Sequence, residues 1–169
     1  MGDAGIFAPG ERVELLEGEI IAVSPQNPRH ARRISRINTL LVGLFGKTHE
    51  IRVQLPLTLS KTSEPEPDFA LVSFQESDAA KRHPACADWV MEISDTTLSL
   101  DRNKKARVYA QAGIRDYWIL NMQKKRLEVR RQPTEEGYAS LTLLSPDQSL
   151  GLLAFPEVEL KVADLLGDD

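Results

Sequence analysis

The sequence predicts an α/β domain in which a mixed central β-sheet is flanked by helices. Apolar residues recur at helical spacing between residues 29 and 46, so an amphipathic helix is expected there. Residues 69–73 and 89–91 form short apolar runs, which are typical of strands buried on both faces. A second helical segment is expected at 101–112. Strands combined with one long early helix and one central helix favour the α/β class with a mixed sheet.

Turn signals divide the rest of the chain into further elements. Glu17-Gly18 lies between two weakly alternating segments, 12–16 and 19–23, which predicts a β-hairpin with a tight turn. Gly46 and Gly113 mark the expected ends of the two long helices. The other expected elements are loops at 24–28 and 60–67, a strand at 51–59, a partly helical stretch ending near Pro84, strands at 88–94, 117–120, 127–131 and 139–144, a turn at Glu136-Gly137, and a last helical turn at 162–166.

Length and composition are those of one globular domain. The chain has 169 residues, of which 41% are hydrophobic, so residues 1–169 are expected to form a single domain with a flexible start at 1–10. The single cysteine, Cys86, excludes an intrachain disulfide and a zinc site built on cysteines. The N-terminus lacks a signal-peptide pattern, and no apolar run reaches the roughly 20 residues of a membrane helix. We therefore expect a cytoplasmic protein without a membrane partner.

The charge balance restricts the kind of partner. A net charge of −4 argues against a protein that simply coats nucleic acid, because phosphate contacts need positive charge. It does not argue against an enzyme, since a divalent-cation site concentrates carboxylates. Two basic runs are candidates for phosphate contacts, although most such runs are solvated surface. They are Arg29, Arg32, Arg33 and Arg36 in the first helix, and Lys124, Lys125, Arg126, Arg130 and Arg131 further on.

A carboxylate within an apolar strand is the most informative single feature. Glu92 follows Trp89, Val90 and Met91, and the period of two places it on the same face as Ser94. An ionised carboxylate in a buried strand is costly unless it is paired or binds a metal. The alternative is a strand-end glutamate that contacts water or an arginine.

Two further features are weak when taken alone. Asp68 follows a proline at the mouth of the 69–73 strand, where a plain turn aspartate is the commoner interpretation. Asp101 and Lys105 share a helix face, where a weak surface ion pair is the commoner interpretation.

Taken together, these features predict a metal site. Asp68, Glu92 and Lys105 all lie at the ends of core elements that are neighbours in sequence. Two carboxylates on neighbouring strands can hold Mg²⁺ or Mn²⁺ together with water. A nearby lysine can orient an attacking water or offset charge as a phosphodiester is cleaved.

The same residues belong to a set of short blocks with a family resemblance. The blocks are Glu14-Leu-Leu-Glu-Gly-Glu19-Ile, Pro28-Arg-His30, Glu66-Pro-Asp68, Val90-Met-Glu92-Ile-Ser94, the helical series Asp101, Lys105 and Tyr109, and Gly113-Ile followed by Tyr117-Trp118. Over about residues 11–131, their order and spacing resemble the Uma2 family of endonucleases in the PD-(D/E)XK superfamily. The resemblance implies a restriction-endonuclease-like core with a mixed central sheet flanked by helices.

The resemblance also implies roles for individual residues. Asp68 and Glu92 are implied metal ligands. The superfamily lysine usually stands two residues after the glutamate, where this chain has Ser94; here the lysine is implied to lie in the following helix at Lys105, with Lys104 as the neighbouring alternative.

The early acidic residue of the superfamily corresponds to Glu19. Glu14 and Glu17 lie close to it in the sequence, so this assignment has near alternatives. Asp101, Ser94, His30 and Gln54 are secondary candidates. A lone histidine on a helix is usually a surface residue, and the resemblance adds a site role for His30 as the less common alternative. Gln54, on the strand before the Pro-Asp block, has a position in the same cleft as its less common alternative.

The function favoured by these observations is a metal-dependent endonuclease that hydrolyses phosphodiester bonds, with DNA as the expected substrate and Mg²⁺ or Mn²⁺ as the cofactor. A homodimer is the expected assembly. The alternative is a non-catalytic protein-interaction or nucleic-acid-binding module that retains the nuclease fold. A Ser-His hydrolase has little support, because no nucleophile-elbow pattern is present.

Overall fold

The centre of the protein is a six-stranded mixed sheet. The computed structural model describes residues 12–23, 27–79 and 82–167. The strands of the sheet are β3 (His49–Arg52), β4 (Phe69–Ser73), β5 (Trp89–Ser94), β6 (Asp116–Asn121), β7 (Arg126–Thr134) and β8 (Gly137–Leu144). They lie in sequence order, and within the sheet only β5 and β6 run parallel.

Two small hairpins and five helices surround this sheet. The hairpins are β1 (Val13–Leu16) with β2 (Glu19–Ala22), and β9 (Ser149–Leu152) with β10 (Phe155–Lys161). The helices are α1 (Pro28–Phe45), α2 (Phe74–Ala79), α3 (Leu98–Leu100), α4 (Ala106–Gln111) and α5 (Val162–Leu166), and a π-helical segment, Asp101–Lys105, joins α3 to α4. The α3–α4 stretch supplies the crossover that the parallel pair β5–β6 requires.

The sheet separates two apolar cores. On one face, Ile34, Ile37, Leu41 and Phe45 of α1 pack on Trp89 and Met91 and on residues from the β9–β10 hairpin and α5. On the other face, Ala106 and Tyr109 pack on Val90, Tyr117 and Ile119. Because successive residues of a strand face opposite sides, Glu92 projects on the same face as Val90 and Ile119, towards the α3–α4 crossover. The predicted α/β class with a mixed sheet is confirmed.

The predicted strand at 51–59 is wrong beyond Arg52. Gln54 has φ = +52°, a left-handed conformation that is uncommon for a residue other than glycine and cannot continue a strand. The Gln54 backbone N–H instead donates to the carbonyl of Pro67 at 3.1 Å, so the chain turns towards the start of β4. The β9–β10 hairpin had no counterpart in the sequence prediction.

The predicted helix at 101–112 begins earlier and is not uniform. It starts at Leu98 in the structure and widens to a π-helix between Asp101 and Lys105. Such wide turns carry no periodic sequence signal and are frequent at functional sites. Asp101, Lys105 and Tyr109 are all buried, so the predicted shared face is confirmed.

Some sequence predictions lie outside what the structure tests. The expected flexibility of residues 1–10 concerns residues outside the described ranges, as does part of the loop at 24–28. Within the described residues, no helix has both the length and the apolar character to cross a membrane. The cytoplasmic location and the homodimer stay predictions.

Asp116, at the start of β6, is a buried anchor for the C-terminal part of the fold. Its carboxylate accepts hydrogen bonds from the indole of Trp118 at 2.7 Å, the guanidinium of Arg131 at 2.8 Å and the backbone of Leu153 at 2.8 Å. One side chain therefore connects β6, β7 and the β9–β10 turn.

We expect Asp116→Ala to destabilise the protein by about 3 kcal/mol, because it leaves the Arg131 charge and the buried Trp118 indole N–H without this acceptor. The free energy of unfolding is measured by urea denaturation monitored by circular dichroism. The control is Glu157→Ala, which removes an exposed carboxylate and should change stability by less than about 0.5 kcal/mol. Equal unfolding free energies for the two variants would contradict the anchoring role.

Candidate functional site

Asp68 and Glu92 face each other across neighbouring strands. Phe69 pairs with Met91 in the antiparallel β4–β5 register, so Asp68 at the entrance to β4 lies opposite Glu92. The Asp68 backbone N–H lies 3.4 Å from a Glu92 carboxylate oxygen, and the Ile93 N–H donates to Asp68 Oδ2 at 2.8 Å. The two residues are only 9% and 4% exposed. The predicted proximity of the two carboxylates is therefore present in the structure.

Lys105 bridges Glu92 to a second glutamate, Glu14 of β1. Its ammonium nitrogen lies 3.0 Å from Glu92 Oε1 and 3.1 Å from the Glu14 carboxylate. Tyr109, one helical turn further on, donates its hydroxyl to the same Glu92 oxygen at 2.7 Å. The π-helical segment ends at Lys105, which places the lysine and Tyr109 over the glutamate.

Burial and the neighbouring opposite charges shift the pKa values of Glu92 and Lys105 in opposite directions. Burial raises the pKa of Glu92 well above its ordinary range despite the opposing Lys105 charge, and Asp101 and Asp68 raise it further. Burial by itself would lower the pKa of Lys105, but the carboxylates of Glu92 and Glu14 outweigh it and raise that pKa. Lys105 is therefore held as a cation, and a buried cation stabilises the carboxylates beside it.

Asp68 has a different environment from Glu92. His30 Nε2 of α1 lies 3.2 Å from Asp68 Oδ1, and the Gln54 amide donates to the same oxygen at 3.0 Å. Burial alone would raise the pKa of Asp68, but the interactions with His30 and Gln54 outweigh it, and the pKa lies below its ordinary value. His30 and Gln54, two of the secondary candidates from the sequence, are thus in contact with a central carboxylate.

The strained turn at Gln54 positions its side chain for the contact with Asp68. Left-handed backbone at a residue other than glycine costs of order 1 kcal/mol and persists only where the surroundings enforce it. Here the backbone N–H of Gln54 is held by the Pro67 and Asp68 carbonyls, while its side chain reaches Asp68.

Asp101 lies on the floor of the same cleft. Thr97 donates its hydroxyl to Asp101 Oδ2 at 2.6 Å, and Asp101 is 2% exposed. Burial raises the pKa of Asp101, although Lys105, Thr97 and Ser94 act in the opposite direction. Ser94, two residues after Glu92 on the same strand, is fully buried.

The structure does not bring Glu19 or Lys104 to this cluster. Their side chains pair with each other instead, and the Glu19 side chain is 67% exposed. Glu14 takes the position expected for Glu19, because it alternates with the buried Leu16 and therefore shares its inward face. That alternation was a usable signal in the sequence. Lys105 rather than Lys104 is the lysine that contacts Glu92.

The assembled side chains line one cleft. It is bounded by Glu14, His30, Gln54, Asp68, Glu92 and Lys105, which come from the β1–β2 hairpin, α1, the segment after β3, the start of β4, β5 and the crossover. Contributions from so many separate parts of the chain are what a rigid, preorganised site requires.

The donor set of this cleft fits a hard divalent cation of the Mg²⁺ type. Among the residues that the structure describes, no group of three or more His, Cys, Asp or Glu side chains is placed to hold a metal ion. Mg²⁺ does not need such a group, because it binds through one or two carboxylates and keeps several waters or substrate phosphate oxygens. Asp68 and Glu92 supply two carboxylates on adjacent strands at the rim of the cleft.

Comparisons with known proteins agree with this architecture. A solved structure described as "a putative nuclease belonging to DUF820 from Anabaena variabilis ATCC 29413" has the same fold, with a TM-score of 0.73, 18% sequence identity, and coverage of 91% of this chain and 89% of that one. No curated protein matches the sequence. The model of the Uma2 family, described as "Putative restriction endonuclease", matches residues 4–163. This chain belongs to the Uma2 family.

Proposed function

We propose that the protein is a Mg²⁺-dependent endonuclease of the PD-(D/E)XK type that hydrolyses phosphodiester bonds in DNA. The observation that carries the proposal is the pairing of Asp68 with Glu92 at the rim of a cleft, with the Lys105 ammonium 3.0 Å from Glu92. Membership of a family described as "Putative restriction endonuclease" supports a nuclease-like function. The solved structure with the same fold is described as "a putative nuclease".

Asp68 and Glu92 are the residues that would hold the metal. When bound, Mg²⁺ would lower the pKa of a coordinated water and offset the charge that develops on the phosphate. The hydrogen bonds from His30 and Gln54 fix one oxygen of Asp68, and the Ile93 N–H fixes the other. Asp68 therefore has one orientation, and it stays ionised at neutral pH because its pKa is lowered.

Lys105 has two tasks in this proposal. Its positive charge lowers the pKa of Glu92 and so opposes burial, which favours the protonated form of that carboxyl group. An ammonium also carries three donors, so with one directed to each glutamate a third can be turned towards the attacking water or the scissile phosphate. Glu14 acts as a positioning residue that keeps the ammonium over the cleft.

One observation favours the alternative of a non-catalytic nucleic-acid-binding module. Lys105 already pairs with both Glu14 and Glu92, so these two buried glutamates have a cationic partner without a metal. A protein that had lost its activity could keep this arrangement for stability alone. The two functions differ in the response of the protein to metal.

We expect Asp68→Asn and Glu92→Gln each to lower DNA cleavage by about 10³-fold or more, because each removes a carboxylate on which metal assistance depends. Nicking of supercoiled plasmid in Mg²⁺ gives the rate, and Mn²⁺ titration by calorimetry gives the metal affinity. Wild type should bind Mn²⁺ near stoichiometrically, and the double variant should not.

The matched control for this experiment is Glu157→Gln, which removes an exposed carboxylate outside the cleft and should change neither rate nor binding. Thermal unfolding checks that every variant is folded. Unchanged cleavage in both site variants would refute the assignment. A folded wild type that neither cuts DNA nor binds Mn²⁺ would favour the non-catalytic module.

A second test compares variants of Glu14 and Glu19 to determine which of the two is the early acidic residue of the site. We expect Glu14→Gln to lower the cleavage rate by about 10–100-fold, as is typical when a group that orients an active residue is removed. Glu19→Gln should leave the rate unchanged, because an exposed pair such as Glu19–Lys104 contributes little. The reverse result in the plasmid assay would restore Glu19 as the early acidic residue.

A further inference from the structure

A second charged cluster lies beside the cleft, around Glu128 of β7. This carboxylate is 1% exposed and faces three guanidinium groups. Arg102 Nε donates to it at 2.9 Å, Arg126 Nη2 lies 3.3 Å from it, and Arg130 Nη2 lies 3.7 Å from it. Asn121, at the end of β6, also donates its amide at 2.8 Å.

The cluster carries more positive charge than its carboxylate neutralises. Burial would raise the pKa of Glu128, but Arg102 and Asn121 outweigh it and lower that pKa to about 2, so the group is a full anion at neutral pH. Three arginines against one carboxylate leave a local excess of two positive charges. Among the described residues the buried Nε of Arg130 has no hydrogen-bond partner.

A simple structural role explains only part of this arrangement. The Arg102–Glu128 pair fastens the π-helical segment to the sheet, and one arginine is sufficient for that. Arg102 and Arg126 keep side-chain exposures of 34% and 33%, so both can still reach a ligand from solvent. Like charges gathered at one place repel one another, and a further anion bound there would lower that cost.

The register of the sheet places this cluster next to the candidate catalytic centre. Glu92 pairs with Ile119, and Ile119 pairs with Glu128, so the three residues form one row on one face of the sheet. Adjacent strands lie about 4.8 Å apart, so the Glu92 and Glu128 backbones are separated by roughly 10 Å.

The helical crossover and the β6–β7 turn connect the two clusters physically. Lys105 contacts Glu92 and Arg102 contacts Glu128 from the same π-helical segment. In the turn, Gln123 donates its amide to the carbonyl of Asp95, a residue that lines the cleft. The turn also exposes Lys124, whose backbone N–H is fixed by Asn121 at 3.0 Å.

We infer that Arg102, Arg126 and Lys124 form a phosphate-contact surface that holds the backbone of duplex DNA next to the bond placed in the cleft. This inference rests on the proposed endonuclease function and adds where the substrate lies. Contacts of this type position the duplex without reading its sequence. Glu128 is a positioning residue that keeps the arginines in place.

The test uses Lys124→Gln/Arg126→Gln, which removes two of the charges and keeps the closely bonded Arg102–Glu128 pair. Binding of a short fluorescein-labelled DNA duplex is followed by anisotropy between about 50 and 200 mM NaCl, a range over which phosphate contacts dominate the change in affinity. Ca²⁺ replaces Mg²⁺ in the buffer, and a gel checks afterwards that the duplex is intact. The matched control is Lys47→Gln/Lys161→Gln, which removes the same charge from exposed lysines that do not line the cleft.

We expect the Lys124/Arg126 variant to bind about tenfold more weakly and to lower the slope of log affinity against log salt by about two, one for each lost phosphate contact. The control variant should match wild type, and duplexes of unrelated sequence should give the same result. Equal affinity and slope for the two double variants would overturn the inference, as would a wild type that binds no duplex. A wild type that binds with the expected slope but does not cut would count against the proposed function and leave the contact surface supported.

Discussion

The ammonium of Lys105 is the interaction on which the rest of the site depends. Glu14 and Glu92 are buried carboxylates, and each is costly to keep ionised without a cation beside it. Lys105 lies 3.1 Å from one and 3.0 Å from the other. It thereby joins the β1–β2 hairpin, the central sheet and the helical crossover, because each residue comes from a different one of these parts. Removal of Lys105 would leave both glutamates buried without their cation.

The two facing carboxylates are given different properties by their neighbours. Asp68 is surrounded by hydrogen-bond donors from His30, Gln54 and Ile93, which lower its pKa, whereas burial raises the pKa of Glu92. Environments that push two carboxyl pKa values apart are the usual way in which one site assigns them distinct tasks. In the proposed mechanism Asp68 is the permanently ionised ligand, and Glu92 depends on cationic partners for its charge.

Much of the fold and the centre of the site could be predicted from the sequence. Apolar periodicity located α1 and the buried strands, and a carboxylate within an apolar run identified Glu92. Gln54 was assigned to a strand because a left-handed turn at a residue other than glycine has no compositional signal. Three glutamates lie close together in the first hairpin, so the sequence does not separate Glu14 from Glu19. Alternation with Leu16 points to Glu14, but the register pairs Glu19 with Leu16 on that same face, so the choice depends on where the hairpin meets the crossover. Arg126 and Arg130 flank Glu128 on the same face of β7, but Arg102 lies 26 residues away and reaches it from the helical crossover, so that contact needs the fold.

The most direct test of this account is the location of the metal in a crystal soaked with Mn²⁺. Anomalous scattering identifies the ion without reference to activity or to substrate. The account predicts a peak at bonding distance from carboxylate oxygens of both Asp68 and Glu92, with Lys105 still in contact with Glu92. A peak bound elsewhere on the chain, or a cleft in which Lys105 keeps both glutamates and no metal enters at saturating Mn²⁺, would contradict it.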